Sequence, residues 1–214
     1  MIARIEKSLE LADWIALKFD GMSIVADGKS ELSATCYYVV WQHQAAVPRL
    51  YREGLIAPAT ALLRCAWEAF TRGMWLSRAA TIEQRATFRS GGKLPGHKAL
   101  LASLEKVDDF NTPLLTDFHD RHFDELCDLT HTGITQLSQH WCGDEIRAEQ
   151  EIMQLESVLA LVDTLALCAL AQAAVLAGDQ PKAHEAMERL SIEISQTEAQ
   201  SVSPDNRAAA QAAP

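Results

Sequence analysis

The residues best suited to chemistry are Arg64, Glu68 and Arg72, with Trp75 one turn beyond, and His131 far along the chain. A guanidinium is a planar fork of donors that grips carboxylate or phosphate. An imidazole exchanges its proton close to neutral pH. With Glu68 orienting one arginine, the set could hold a phosphate-bearing substrate while His131 acts as general acid or base. The four-residue spacing puts the three charges on one helix face, which equally describes an ion-pair ladder worth about 0.2–0.5 kcal/mol per exposed pair. Trp75 projects into this charged stripe, so another helix, a second subunit or a ligand is expected to cover it. His43 and Gln136 are further polar candidates beside apolar positions, His43 being read as a hydrogen-bonded core residue.

Other chemistries lack their patterns. His119, Asp120 and His122 suggest a metal, but no HExxH and no completing ligand follows, and the five cysteines form no CxxC. No metal and no cofactor are expected. The loop 90–97, SGGKLPGH, has the glycine spacing of a phosphate-binding Walker loop, but His97 stands where lysine is required and no strand precedes it. It reads as a connector.

The elements that must position these residues are helical throughout. Residues 58–79 form the organising helix, with Pro58 in the first turn. Leu62, Leu63, Ala66, Ala69, Phe70, Gly73, Met74 and Leu76 make its core face. Before it come amphipathic helices at 2–19 and at 31–52, the second capped by Ser30, with Leu32, Cys36, Val39, Val40, His43, Val47 and Leu50 as its stripe and Pro48 predicting a kink or break. After it come short helices at 81–89 and 98–106, then one opened by Thr112 and Pro113 and running to about 119. Residues 123–141 place Phe123, Leu126, Thr130, Ile134 or Leu137 and Trp141 on a core seam. Gly133 interrupts that pattern, predicting a close approach. Asp144 is the expected cap of a long helix over 145–177, and 181–198 form a last amphipathic helix through Ala183, Met187, Leu190, Ile192 and Ile194. No strand alternation stands out. The reading is an all-α, single-domain bundle over 1–199, mostly antiparallel long helices with two or three short ones, and a disordered tail over 200–214.

Composition narrows the setting. The 214 residues are 48% hydrophobic with a net charge of -10, which disfavours a general nucleic-acid coat or an anionic-membrane binder. Yet residues 64–98 carry seven basic against two acidic side chains. Such a segment could face a phosphate-bearing or protein partner, and pairing with the acidic remainder of the chain is the favoured reading. The odd cysteine count and the charged N-terminus point to a reduced, cytoplasmic protein. The alanine-rich run at 158–178, broken by Asp163 and Gln172, reads as a buried bundle helix, not a membrane span.

RCAWEAFTRGMW, followed some fifty residues later by LCDLTHTG, resembles a family of uncharacterised bacterial all-helical proteins, a domain of unknown function. Those proteins carry an R-x-x-x-E-x-x-x-R-x-x-W helix and a later H-[TG]-G segment; the resemblance covers most of 31–178. It implies that Arg64, Glu68, Arg72 and Trp75 on one helix meet His131 and Gly133 on another across a polar pocket in the bundle interior. The family is more distantly similar to HEPN-type helical domains, which include ribonuclease toxins and abortive-infection proteins and commonly dimerise. Their motif is an arginine followed after four to six residues by histidine. Arg89 and His97 have seven residues between them, Arg121 and His131 nine. The expectation is therefore a homodimeric, non-enzymatic interaction module, with stress or phage defence as its setting and an RNA-directed nuclease or toxin using His131 with Arg64 and Arg72 as the alternative.

Overall fold

The computed structural model describes residues 1–107, 113–147 and 155–201. It is all-α apart from one small hairpin: α1 (Ile2–Phe19), α2 (Ser30–Arg52), α3 (Ile56–Arg78), α4 (Ile82–Arg89), α5 (His97–Val107), α6 (Leu114–Thr130), α7 (Ile134–Ser138), β1 (Trp141–Cys142), β2 (Glu145–Ile146), α8 (Leu155–Leu176) and α9 (Gln180–Ser201).

A helix that is apolar all round must be buried on most sides. α8 is such a helix. It is long and apolar enough to cross a membrane, yet α1, α2, α3 and α9 pack around it and most of its length is buried. The two polar residues that interrupt it both accept from arginine, Asp163 from Arg4 and Gln172 from Arg78. Asp163 is the hub of a buried network. Its Oδ1 accepts from Ser8 Oγ at 2.6 Å and Gln44 Nε2 at 2.9 Å, and its Oδ2 accepts from Arg4 Nη2 at 2.8 Å. Gln44 Nε2 also donates to the Ser8 carbonyl. The first two helices are thus joined to the distant α8 at one carboxylate.

α2 and α3 pack closely because α3 carries no side chain at the crossing. A Cβ on Gly73 would lie 2.7 Å from Cε1 of Tyr37. Pro48 does not break α2, which runs unbroken to Arg52 with Pro48 buried. Ser30 belongs to that helix instead of capping it; the Asp27 carboxylate accepts from the Lys29 and Ser30 amides. The buried face of α2 is Ser33, Ala34, Tyr37, Val40, Gln44, Val47, Pro48 and Tyr51, which leaves His43 half-buried at its edge.

Three further expectations are corrected. The seam over 123–141 does not continue: α6 ends at Thr130, and Ile134, Leu137 and Trp141 are exposed. Asp144 and Glu145 do not open a helix. They sit in an antiparallel hairpin that pairs Trp141 with Ile146 and Cys142 with Glu145, and α8 is described from Leu155. In α9 the buried positions are Ala183, Ala186 and Leu190, while Met187, Ile192 and Ile194 are exposed. Thr112 and the tail from 202 lie outside the described residues, and Pro113 flanks α6.

Candidate functional site

The site forms where α5 and α6 pack against one flank of α3. Arg64 Nε donates to Glu68 Oε1 at 2.7 Å, Arg72 Nη2 stands 3.6 Å from Glu68 Oε2, and Arg64 Nη1 donates to His131 Nε2. The Arg64 guanidinium also lies over the Phe123 ring, 5.2 Å from its centroid. Because a guanidinium only donates, Nε2 of His131 accepts, which places the ring proton on Nδ1.

The structure thus brings Arg64, Glu68, Arg72 and His131 together, but at the surface and not in the interior. The Arg64, Glu68 and Arg72 side chains are 22%, 24% and 32% exposed, and His131 is exposed. Trp75 does not join them. It is 1% exposed and part of the core, so the stripe is interrupted by a buried indole. The cover on this flank is helical, for Thr71 is also fully buried and meets His97 at the start of α5. Gln136 sits elsewhere, donating to the Leu129 carbonyl at 2.7 Å and the Ala57 carbonyl at 3.4 Å, and so ties α7 to the end of α6 and the start of α3. No hydrogen bond or ion pair among the described residues joins His43 to the cluster; burial lowers its pKa.

His131 is positioned by how α6 stops. The Gly133 amide donates to the Asp128 carbonyl at 2.8 Å, a closure of the kind that needs a left-handed residue just past the helix. That residue is Thr132, at φ 59°, a conformation that β-branched side chains rarely adopt. Gly133 is required for a different reason: a Cβ there would come within 2.7 Å of the Asp128 Cα. The close approach predicted from the sequence is the chain folding back on itself at the corner. Thr135 completes the turn through its hydroxyl on Asp128 Oδ2 at 3.0 Å.

Sequence reasoning missed a second group beside the first. His97 Nε2 is 2.8 Å from Thr71 Oγ1, and His97 Nδ1 is 3.3 Å from His119 Nδ1. Phe123 stacks on His97, and Trp67 meets it edge-on. The signal was weak, since His97 falls at the end of a loop and the spacing of His119 relates it only to neighbours on its own helix. Burial, reinforced by the proximity of His119, pushes the His97 pKa down to about 4, and burial lowers that of His119 too.

A histidine with ordinary affinity when unfolded (6.5) and a folded pKa of about 4 binds its proton only in the unfolded chain between those values. Stability is therefore expected to fall as pH drops through that window and to level off below it. Urea midpoints at pH 7 and pH 4.5 should differ less in His97→Gln than in the natural protein. Equal differences would place the pH dependence elsewhere.

The remaining basic residues of 64–98 largely meet acceptors within the chain: Arg89 pairs with Glu31, and Lys98 with Asp120 at 2.9 Å. Among the described residues, no group of three or more His, Cys, Asp or Glu is placed to hold a metal ion.

These features define an all-helical protein with an arginine–carboxylate–imidazole cluster at the edge of its central helix. Residues 37–197 match a family of unknown function, DUF6988, and the chain belongs to that family. It has no match among curated proteins or among solved structures.

Proposed function

We propose that the protein is a non-enzymatic interaction module of the bacterial cytoplasm that acts as a homodimer, with stress or phage defence as its setting. In this reading the Arg64–Glu68–His131 cluster clamps the α6–α7 arm to α3. The observation that carries it is the occupation of the cluster by itself: Nε2 of His131 is held by Arg64, whose Nε is held in turn by Glu68. An imidazole nitrogen so engaged is not free to take a proton from a nucleophile. The clamped arm presents Ile134, Leu137, Trp141 and Ile146, four exposed large apolar side chains, and such a surface suits a second copy of the chain.

Removal of the clamp should cost stability and leave no catalytic trace. Glu68→Ala is expected to lower unfolding free energy by about 1–2 kcal/mol, since it frees two half-buried arginines. Light scattering should show a dimer, and a concentration-independent monomer would refute that part of the reading. The second reading is an RNA-directed nuclease with His131 as acid or base and Arg64 and Arg72 on phosphate, which the exposure of His131 beside Arg64 favours. Incubation of RNA with the natural protein and with His131→Ala discriminates them: the module predicts equal, metal-independent inactivity, and the nuclease predicts cleavage lost in the variant.

A further inference from the structure

We infer that His97 and His119 form a binding site for a divalent transition-metal ion of the imidazole-preferring class, with Nδ1 of each ring as ligand. This inference is independent of the role proposed for Arg64, Glu68 and His131.

The argument begins with Thr71. Its hydroxyl lies 2.9 Å from the Trp67 carbonyl one turn back and donates to it. The oxygen is left to accept, so His97 Nε2 must be the donor across the 2.8 Å contact. A neutral imidazole has one ring proton, and Thr71 fixes it on Nε2. The lone pair is therefore on Nδ1, and Nδ1 faces Nδ1 of His119 at 3.3 Å. Two nitrogens about 2.0–2.1 Å from one tetrahedral zinc ion are about 3.3–3.4 Å apart, so the observed separation is that of two ligands on a shared ion. The hydrogen bond from the far ring nitrogen to an acceptor is the outer support that ligating histidines usually have.

The surroundings are suited to the same end. Phe123 packs against both rings, 5.3 Å from His97 and 4.2 Å from His119 by centroid, which holds their planes. Arg64 and Arg72 act on His97 against Glu68, and Lys98 acts on His119 against Asp120 and Asp124. Two neutral imidazoles suit Zn(II), Ni(II) or Cu(II) and not the oxygen-seeking Mg(II) or Ca(II). With two protein ligands, the other coordination positions fall to water or to a bound molecule. The pair escapes a search along one helix because its members come from α5 and α6.

The test uses the full chain, stripped with chelator, and Zn(II) as probe in calorimetric titration, with Co(II) absorption as a signature of nitrogen ligation. One equivalent is expected to bind. His97→Gln and His119→Gln should each weaken binding tenfold or more, while His122→Gln leaves it unchanged. Thr71→Val, which releases the His97 ring, should weaken it by about tenfold. His119 is only partly buried, so His119→Gln keeps the test decisive if His97→Gln fails to fold. Absence of Zn(II) binding at millimolar concentration would overturn the site. So would undiminished binding in His119→Gln, and the 3.3 Å contact would then be a plain hydrogen bond from His119 to His97.

Discussion

Asp163→Ala should destabilise the protein by about 3–5 kcal/mol, the cost typical of breaking a buried charged network from one side. The aspartate is 3% exposed and accepts three hydrogen bonds from three side chains on two other helices. Its removal leaves the fully buried Ser8 hydroxyl without this acceptor and takes one partner each from Gln44, which keeps the Ser8 carbonyl, and Arg4, which keeps Glu156. An unmade hydrogen bond in such a place costs the full desolvation of each group. At about 2–4 °C per kcal/mol for a chain of this size, the melting temperature should drop by about 10 °C. Asp163→Asn keeps the volume and one acceptor and should cost less. Chemical denaturation of the two variants checks both statements; a loss below about 1 kcal/mol for the alanine variant would mean that α1 and α2 are held to α8 by apolar packing alone.

Trp75→Ala should be comparably severe, at about 3–5 kcal/mol, because it empties the volume of a large side chain that is 1% exposed. Trp75→Phe should recover much of the loss. This result bears on the reading of the central helix. Had Trp75 faced a ligand from within the charged stripe, its removal would weaken binding and spare the fold. In the folded protein the indole belongs to the core, so the expected signature is a large shift in denaturation midpoint with the Arg64–His131 contact retained. A variant as stable as the natural protein would contradict the burial.

The helices were legible where apolar spacing is regular. α1 spans the predicted range, and α3 buries the predicted face because Leu63, Ala66, Phe70 and Met74 recur at helical spacing in a run of good helix formers. Pro48 misled as to a break, since α2 continues through it to Arg52 with Pro48 buried. The 123–141 segment misled more seriously. Its apolar residues keep helical spacing past the point where the backbone turns, and the corner is made by Thr132, a residue no turn rule selects for a positive φ. At the site, the Arg64–Glu68–Arg72 ladder was readable from i, i+4 spacing, and its meeting with His131 came from the paired motif. The His97–His119 contact was not readable, because it joins a loop end to the middle of a helix, and nothing in one sequence reports such a meeting. Asp163 could have been suspected: a lone carboxylate in so apolar a run requires a partner, although not which one.

The carboxylate that ties the bundle together also dates its completion. Ser8 and Asp163 are 155 positions apart, so their bond closes only after Asp163 has left the ribosome. Until then the N-terminal helices lack the surface they finally cover, and the most water-averse segment emerges late into an unfinished shell. α2 and α3, neighbours in sequence and the most extensively packed pair, can assemble early. The order of synthesis therefore makes the seam between the first helix and the eighth a late step of folding, followed by the docking of α9, and the interval before it closes is one in which a nascent chain is exposed to chaperones or to aggregation.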